Sequence, residues 1–243
     1  MARRPTDMAQ FDIKTFDGEA ALFAELTKAV TNALDKELAR CGACSLLLSG
    51  GSTPEPLYRA LADAPLDWPH IHTALVDERW VDKDDAGSNT ALVERSLLQG
   101  AAAQSPFTAM KTSQATAHEA IDNVHHAYAR LPHPAIAILG MGPDGHTASW
   151  FKGAPEYAAA IDPRNEELVA AISAPQSDVT GNYLERMTIT AHAMQSWAQA
   201  FLIVKGAEKM AVLENCLDEN GADLPMRHAG QLLGARLQIF ALS

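Results

Sequence analysis

Apolar side chains recur at every fourth position across residues 20–38, at Leu22, Leu26, Val30, Leu34 and Leu38, and this spacing predicts an amphipathic helix that Gly42 ends. Beyond it the period changes. Short, nearly unbroken apolar runs at 45–48, 73–76, 135–139, 168–172, 200–204 and 237–242 read as strands. Helical spacing lies between them, at 54–62, at 90–98 with Ser88 or Asn89 as the cap, and on a face marked by Ile121, Val124, Tyr128 and Leu131.

Strands that alternate with helices predict a parallel sheet, and strands this apolar fit burial on both sides. The expected fold class is therefore α/β: a doubly wound, mainly parallel, Rossmann-like sheet with helices on both faces. The connections at 100–106 and 132–134 are neither long nor strongly polar, so 1–243 is expected to form a single domain. In open sheets of this kind ligands bind beyond the carboxyl ends of the strands, and those positions are where chemistry is sought.

Charge narrows the partners. The 243-residue chain carries a formal net charge of −11, which repels nucleic acid and anionic membrane surfaces; an anionic small molecule would need a local basic pocket. No apolar run approaches the roughly 18 residues that cross a bilayer. Met1-Ala2-Arg3-Arg4-Pro5 is not followed by the apolar stretch of a signal peptide, so a cytoplasmic location without membrane attachment is expected. Cys41-Gly42-Ala43-Cys44 has redox-motif spacing, but it closes a helix and precedes a strand, whereas redox pairs open a helix; Gly42 reads as a helix stop. No Cys or His pairing at zinc-site spacing is evident.

Four strand ends carry the candidate chemistry. After the first, Ser49-Gly50-Gly51-Ser52-Thr53-Pro54 would let backbone N–H groups at a helix start meet a phosphate, or serve as an ordinary tight turn. After the second come Asp77-Glu78-Arg79-Trp80. There Arg79 could grip an anion with its planar fork, or pair with Asp77 or Glu78. The third leads into Gly140-Met141-Gly142-Pro143-Asp144-Gly145-His146-Thr147-Ala148-Ser149. This segment satisfies the dinucleotide pattern G-x-G-x-x-G, but Asp162, Glu166 and Glu167 fall before the next strand rather than at its end. His146, placed where a helix is expected to begin, could accept a proton from water with Asp144 orienting it. Further on, Arg186-Met187-Thr188-Ile189-Thr190 alternates like a half-exposed strand, and Lys205 and Lys209 flank another strand-to-helix turn. Against so acidic a chain, Arg79, Arg186, Lys205 and Lys209 make a plausible anion pocket.

Taken together, these segments resemble the 6-phosphogluconolactonase family, whose fold is similar to those of the glucosamine-6-phosphate deaminases and ribose-5-phosphate isomerases. The matching segments are 49–54, 77–81 with Ser88-Asn89, 140–149 with Phe151 and Gly153, 186–190 and 206–209, in the family's order. The chain departs from the family at Lys152, often proline, at Trp150, often leucine, and in lacking a proline shortly before Arg186. The resemblance implies hydrolysis of 6-phosphogluconolactone to 6-phosphogluconate in the oxidative pentose phosphate pathway. His146 would be the general base and Asp144 its support. Gly50, Gly51, Ser52, Asp77, Arg79, Arg186 and Lys209 would bind the sugar-phosphate lactone. A δ-lactone is an activated ester, so no metal or cofactor is expected, and the chain has neither a G-x-S-x-G elbow nor an H-E-x-x-H helix. A monomer or small homo-oligomer is expected. The alternative is an aminosugar-phosphate deaminase or isomerase. The deaminases carry an aromatic residue after Asp-Glu, where this chain has Arg79. A sugar-phosphate-binding regulator would usually add a basic DNA-binding segment, and none is visible.

Overall fold

The computed structural model describes residues 11–218 and 221–242. Seven of the described strands form the central sheet: β1 (Asp12–Phe16), β2 (Cys44–Leu48), β3 (Ile71–Leu75), β5 (Phe107–Thr108), β6 (Ala135–Gly140), β9 (Trp197–Lys205) and β10 (Leu237–Leu242). Their order is β1-β10-β9-β6-β2-β3-β5, and every neighbouring pair is parallel. The first helix, α1 (Glu19–Cys41), buries Leu22, Leu26, Val30 and Leu34 of the expected stripe together with Phe23, while Leu38 is partly buried against the core. Gly42 closes it in the left-handed conformation at φ 76°, its N–H donating to Leu38 O at 2.8 Å. Burial pushes the Cys44 thiol up to about 12, which leaves no reactive thiolate pair with Cys41.

The path of the chain fixes where a ligand can sit. From β2 it steps one way through α2 (Glu55–Ala62) to β3 and on to β5. The helix α4 (Ala117–Tyr128) then returns it to β6, on the other side of β2. From there β9 and β10 step outward in the opposite direction, joined by α7 (Ala207–Leu217) and α8 (Pro225–Leu233). Right-handed crossovers in opposite directions put their helices on opposite faces. Accordingly α1 packs on α2, and α7 on α8. The order reverses between β2 and β6, so the turns that follow these two strands flank a crevice at the carboxyl edge.

Three expectations need correction. Residues 168–172 do not join the parallel sheet: β7 (Val169–Ser173) lies in a separate antiparallel sheet of order β4-β8-β7, with β4 at Asp77–Arg79 and β8 at Glu185–Ile189. Val76 is the branch point, since its N–H donates to Leu48 O and its carbonyl accepts from Ile189 N, both at 2.9 Å. Nor is the 186–190 strand half-exposed. Arg186, Met187, Thr188 and Ile189 are all buried, because the turn after β6 covers them: Ser149 N donates to Thr188 Oγ1 at 3.1 Å and Trp150 Nε1 to Ile189 O at 2.8 Å. Finally, no helix begins at His146. Left-handed backbone at Gly145 and Ala148, with φ of 77° and 48°, breaks residues 141–150 into turns.

Candidate active site

The turn after β2 is shaped by its neighbour rather than by a ligand alone. A Cβ on Gly50 would stand 1.8 Å from Asn89 Oδ1, so only glycine admits the first residue of α3 (Asn89–Ser96) against this loop. Ser49 holds the turn from below: its carbonyl accepts from Tyr58 Oη at 2.7 Å, while its own hydroxyl is buried with no partner among the described residues. Gly51 and Ser52 then line a cleft of about 150 Å³, with Arg79, Ser88, Asn89 and Arg95 on the other wall. The start of α2 opens beside it without a side-chain cap. Its acidic first residue, Glu55, is drawn to Arg59 at 2.7 Å.

Register in the small sheet sets Arg79 of β4 directly opposite Arg186 of β8. Like charges facing each other across a ladder are destabilising unless something anionic separates them. The adjacent carboxylates act on Arg186 through their charge, but their oxygens are hydrogen-bonded elsewhere. Glu78, fully buried, accepts from Arg79 N, Asn89 N and Thr90 N, each at 2.8 Å, and so caps α3. Burial raises its pKa against these donors. Asp77 accepts from Ser149 Oγ at 2.6 Å, and its backbone carbonyl takes Asn89 Nδ2 at 2.8 Å. The ion pair from Arg79 to Asp77 or Glu78, one of the two readings of the sequence, is thus absent among the described residues. Arg79 instead donates from Nη1 to Gly87 O at 2.6 Å, its Cζ lies 5.7 Å from the centre of the Tyr183 ring, and its buried Nε has no acceptor among the described residues. Arg186 is 4% exposed and donates from Nε to Tyr183 O at 2.7 Å. Burial brings its pKa down to about 10, with the charge of Arg79 adding to the fall and those of Asp77 and Glu78 opposing it. Two guanidinium groups therefore share one wall with no carboxylate bound to either among the described residues, an arrangement that suits a dianion.

The turn after β6 supplies an imidazole. His146 Nδ1 lies 2.6 Å from Asp144 Oδ1, and Asp144 Oδ1 also accepts from His146 N at 3.3 Å. Burial pushes the Asp144 carboxyl up, but the hydrogen bonds and charge of His146 outweigh it and hold the carboxyl below its usual range. With Nδ1 engaged, Nε2 has no partner among the described residues and is the ring nitrogen left to take a proton. The ring rests against Phe151, centroids 4.5 Å apart, and Arg186 Cζ lies 5.5 Å from the centre of the same phenyl ring. One buried aromatic side chain thus brings the histidine turn and the arginine wall together.

Of the two lysines, Lys205 is drawn away, its ammonium 2.5 Å from Glu19 at the start of α1. Lys209 sits in the first turn of α7, after β9, whose neighbour in the sheet is β6; it is half-buried and has no ion pair among the described residues. No group of three or more His, Cys, Asp or Glu side chains among the described residues is placed to hold a metal ion. Sequence reasoning gave no role to Tyr183 or Phe151. Phe151 stood in a recognised segment, whereas Tyr183 had no local signal, because its contacts are with the distant Arg79 and Asp85.

The chain as a whole is similar to known proteins in sequence and fold. A family model described as glucosamine-6-phosphate isomerases/6-phosphogluconolactonase matches residues 17–235. A 6-phosphogluconolactonase of Xylella fastidiosa is 34% identical over 236 residues, covering 97% of this chain and 98% of that protein. One from Pseudomonas aeruginosa is 36% identical over 204 residues, covering 83% and 84%. Among solved structures, a 6-phosphogluconolactonase from Shewanella baltica superposes with a TM-score of 0.86 at 29% identity, covering 96% of this chain and 98% of that one. A putative 6-phosphogluconolactonase from Neisseria gonorrhoeae gives 0.83 at 32%, covering 96% and 100%. With the doubly wound fold, the strand-end turns and near full-length similarity in agreement, the chain belongs to the glucosamine-6-phosphate isomerase/6-phosphogluconolactonase family.

Proposed function

We propose that this chain is a 6-phosphogluconolactonase, hydrolysing 6-phospho-D-glucono-1,5-lactone to 6-phosphogluconate in the oxidative pentose phosphate pathway. The observation that carries the reading is the contact of both His146 and Arg186 with Phe151, which sets a proton acceptor beside an unneutralised anion site. The substrate needs both: an ester carbonyl for water to attack and a phosphate to be gripped.

In this mechanism Arg186, Lys209 and the Gly50-Gly51-Ser52 turn anchor the phosphate, and Arg79 adds positive field from the facing strand. Asp77 fixes the turn through Ser149 and supplies a nearby negative charge to the arginine pair. His146 takes a proton from water through Nε2 as the water oxygen bonds to the lactone carbonyl carbon. Asp144 holds the ring and stabilises the imidazolium. The tetrahedral oxyanion then collapses, the ring C–O bond breaks, and the departing alkoxide recovers the proton from His146 to become a hydroxyl. No net redox change occurs and no metal is called for. The chain acts as one lactonase domain, as a monomer or small homo-oligomer, in the cytoplasm; in support, no described helix is long and apolar enough to cross a membrane.

Assaying 6-phosphogluconolactone and glucosamine 6-phosphate on one preparation tests the reading. Hydrolysis of the lactone without release of ammonia from the aminosugar is expected. The reverse pattern would transfer the chain to the deaminase branch of the family.

A further inference from the structure

Phe151 is 3% exposed, and two flat polar groups rest on it. The His146 ring is tilted 38° to the phenyl plane, and the Arg186 guanidinium stands over the phenyl ring. The imidazole contact bears on a weakness of the site. The hydrogen bond from Nδ1 to Asp144 leaves the imidazole free to turn about that bond. Its contact with Gly142, where a Cβ would stand 2.2 Å from Cε1, leaves no room for a side chain on that approach. The phenyl contact supplies the remaining constraint on the plane of the ring. Arg186, for its part, donates to Tyr183 O, and its guanidinium packs on the same phenyl ring.

We propose that Phe151 is a positioning residue for lactone hydrolysis: its ring sets the plane of the His146 imidazole. The inference rests on the reading of His146 as general base. The phenyl face, negative in its quadrupole, also favours the imidazolium formed when the water proton arrives, while it accommodates the guanidinium. A purely aliphatic side chain of similar size would fill the volume and supply neither effect.

The test compares Phe151→Leu with Phe151→Tyr. For F151L the account expects kcat to fall about 10-fold, a part of what general-base catalysis supplies, with KM little changed. The acid limb of its kcat/KM profile should move to lower pH, because the imidazolium loses an aromatic face. F151Y should retain most of kcat and the original acid limb. Phe151→Met provides the same comparison if leucine lowers the yield of folded protein. A kcat loss with an unmoved acid limb, or tyrosine no better than leucine, overturns the proposal and leaves Phe151 as packing. An active His146→Ala would instead sink the general-base reading, so the two failures are distinguishable.

Discussion

At Gly142 the turn that carries His146 has no spare room: a Cβ there would stand 2.2 Å from both Cε1 and Nδ1 of His146 and 2.6 Å from Asp144 Oδ1. Nothing else in that turn offers so direct a test of geometry, because the backbone amide of Gly142 remains free to donate to His146 O at 2.9 Å whatever side chain is added. Gly142→Ala should therefore displace the imidazole without unfolding the chain, and a displacement of about 1 Å costs on the order of 10² in rate. Steady-state kinetics beside circular dichroism checks this; a native spectrum with undiminished kcat would contradict it. His146 and Asp144 stood out in the sequence because, with Pro143, they crowd a glycine-lined turn where a pyrophosphate would need space, but their direct contact is seen only in the structure. The roles of Phe151 and Tyr183 were not legible, since each depends on side chains brought in by register, Arg186 and Arg79, that no local pattern announces.

Elements add a second requirement, that a charged strand end be buried without losing the helix beside it. Glu78 satisfies it by capping α3 with both carboxylate oxygens, and burial raises its pKa above the usual 4.5. The sign of the linkage follows: between the usual and the raised value the folded chain binds this proton more tightly than the unfolded chain. Its contribution to stability is therefore greatest at acid pH and is lost as pH climbs through the raised value. Glu78→Gln removes that slope and exchanges one acceptor oxygen for an NH₂ group facing a backbone N–H, at a cost of about 1–3 kcal/mol. Urea unfolding between about pH 5 and 8 should give a flatter stability profile for E78Q than for the parent. Parallel profiles would show that Glu78 titrates as it does in the unfolded chain. The sequence marked Asp77-Glu78-Arg79 as costly to bury, yet it could not tell a salt bridge from a cap, because the partner amides of Asn89 and Thr90 lie eleven and twelve residues away. The same limit explains β7 and β8: apolar runs identify strands, but the branch at Val76 that assigns them to a second sheet is a matter of tertiary pairing.

For the whole molecule, a chain of net charge −11 sets two arginines opposite each other in its small sheet, Arg79 beside the turn after β2 and Arg186 against Phe151 of the turn after β6. The alternation of strands and helices made the crevice between these turns legible, since ligands in such sheets gather at the switch point. The separation of tasks within it was legible only as residue types, an imidazole for the proton and guanidinium groups for the anion. If the two tasks are separate, the kinetic constants of two variants must part company. Arg186→Met should raise KM by about 10-fold or more, from the loss of a charge-assisted contact, while relieving the repulsion with Arg79. The most direct measurement is kcat and KM of His146→Ala with 6-phosphogluconolactone. The account predicts a kcat lower by about 10²–10⁴ at nearly unchanged KM. Turnover close to that of the parent would contradict it.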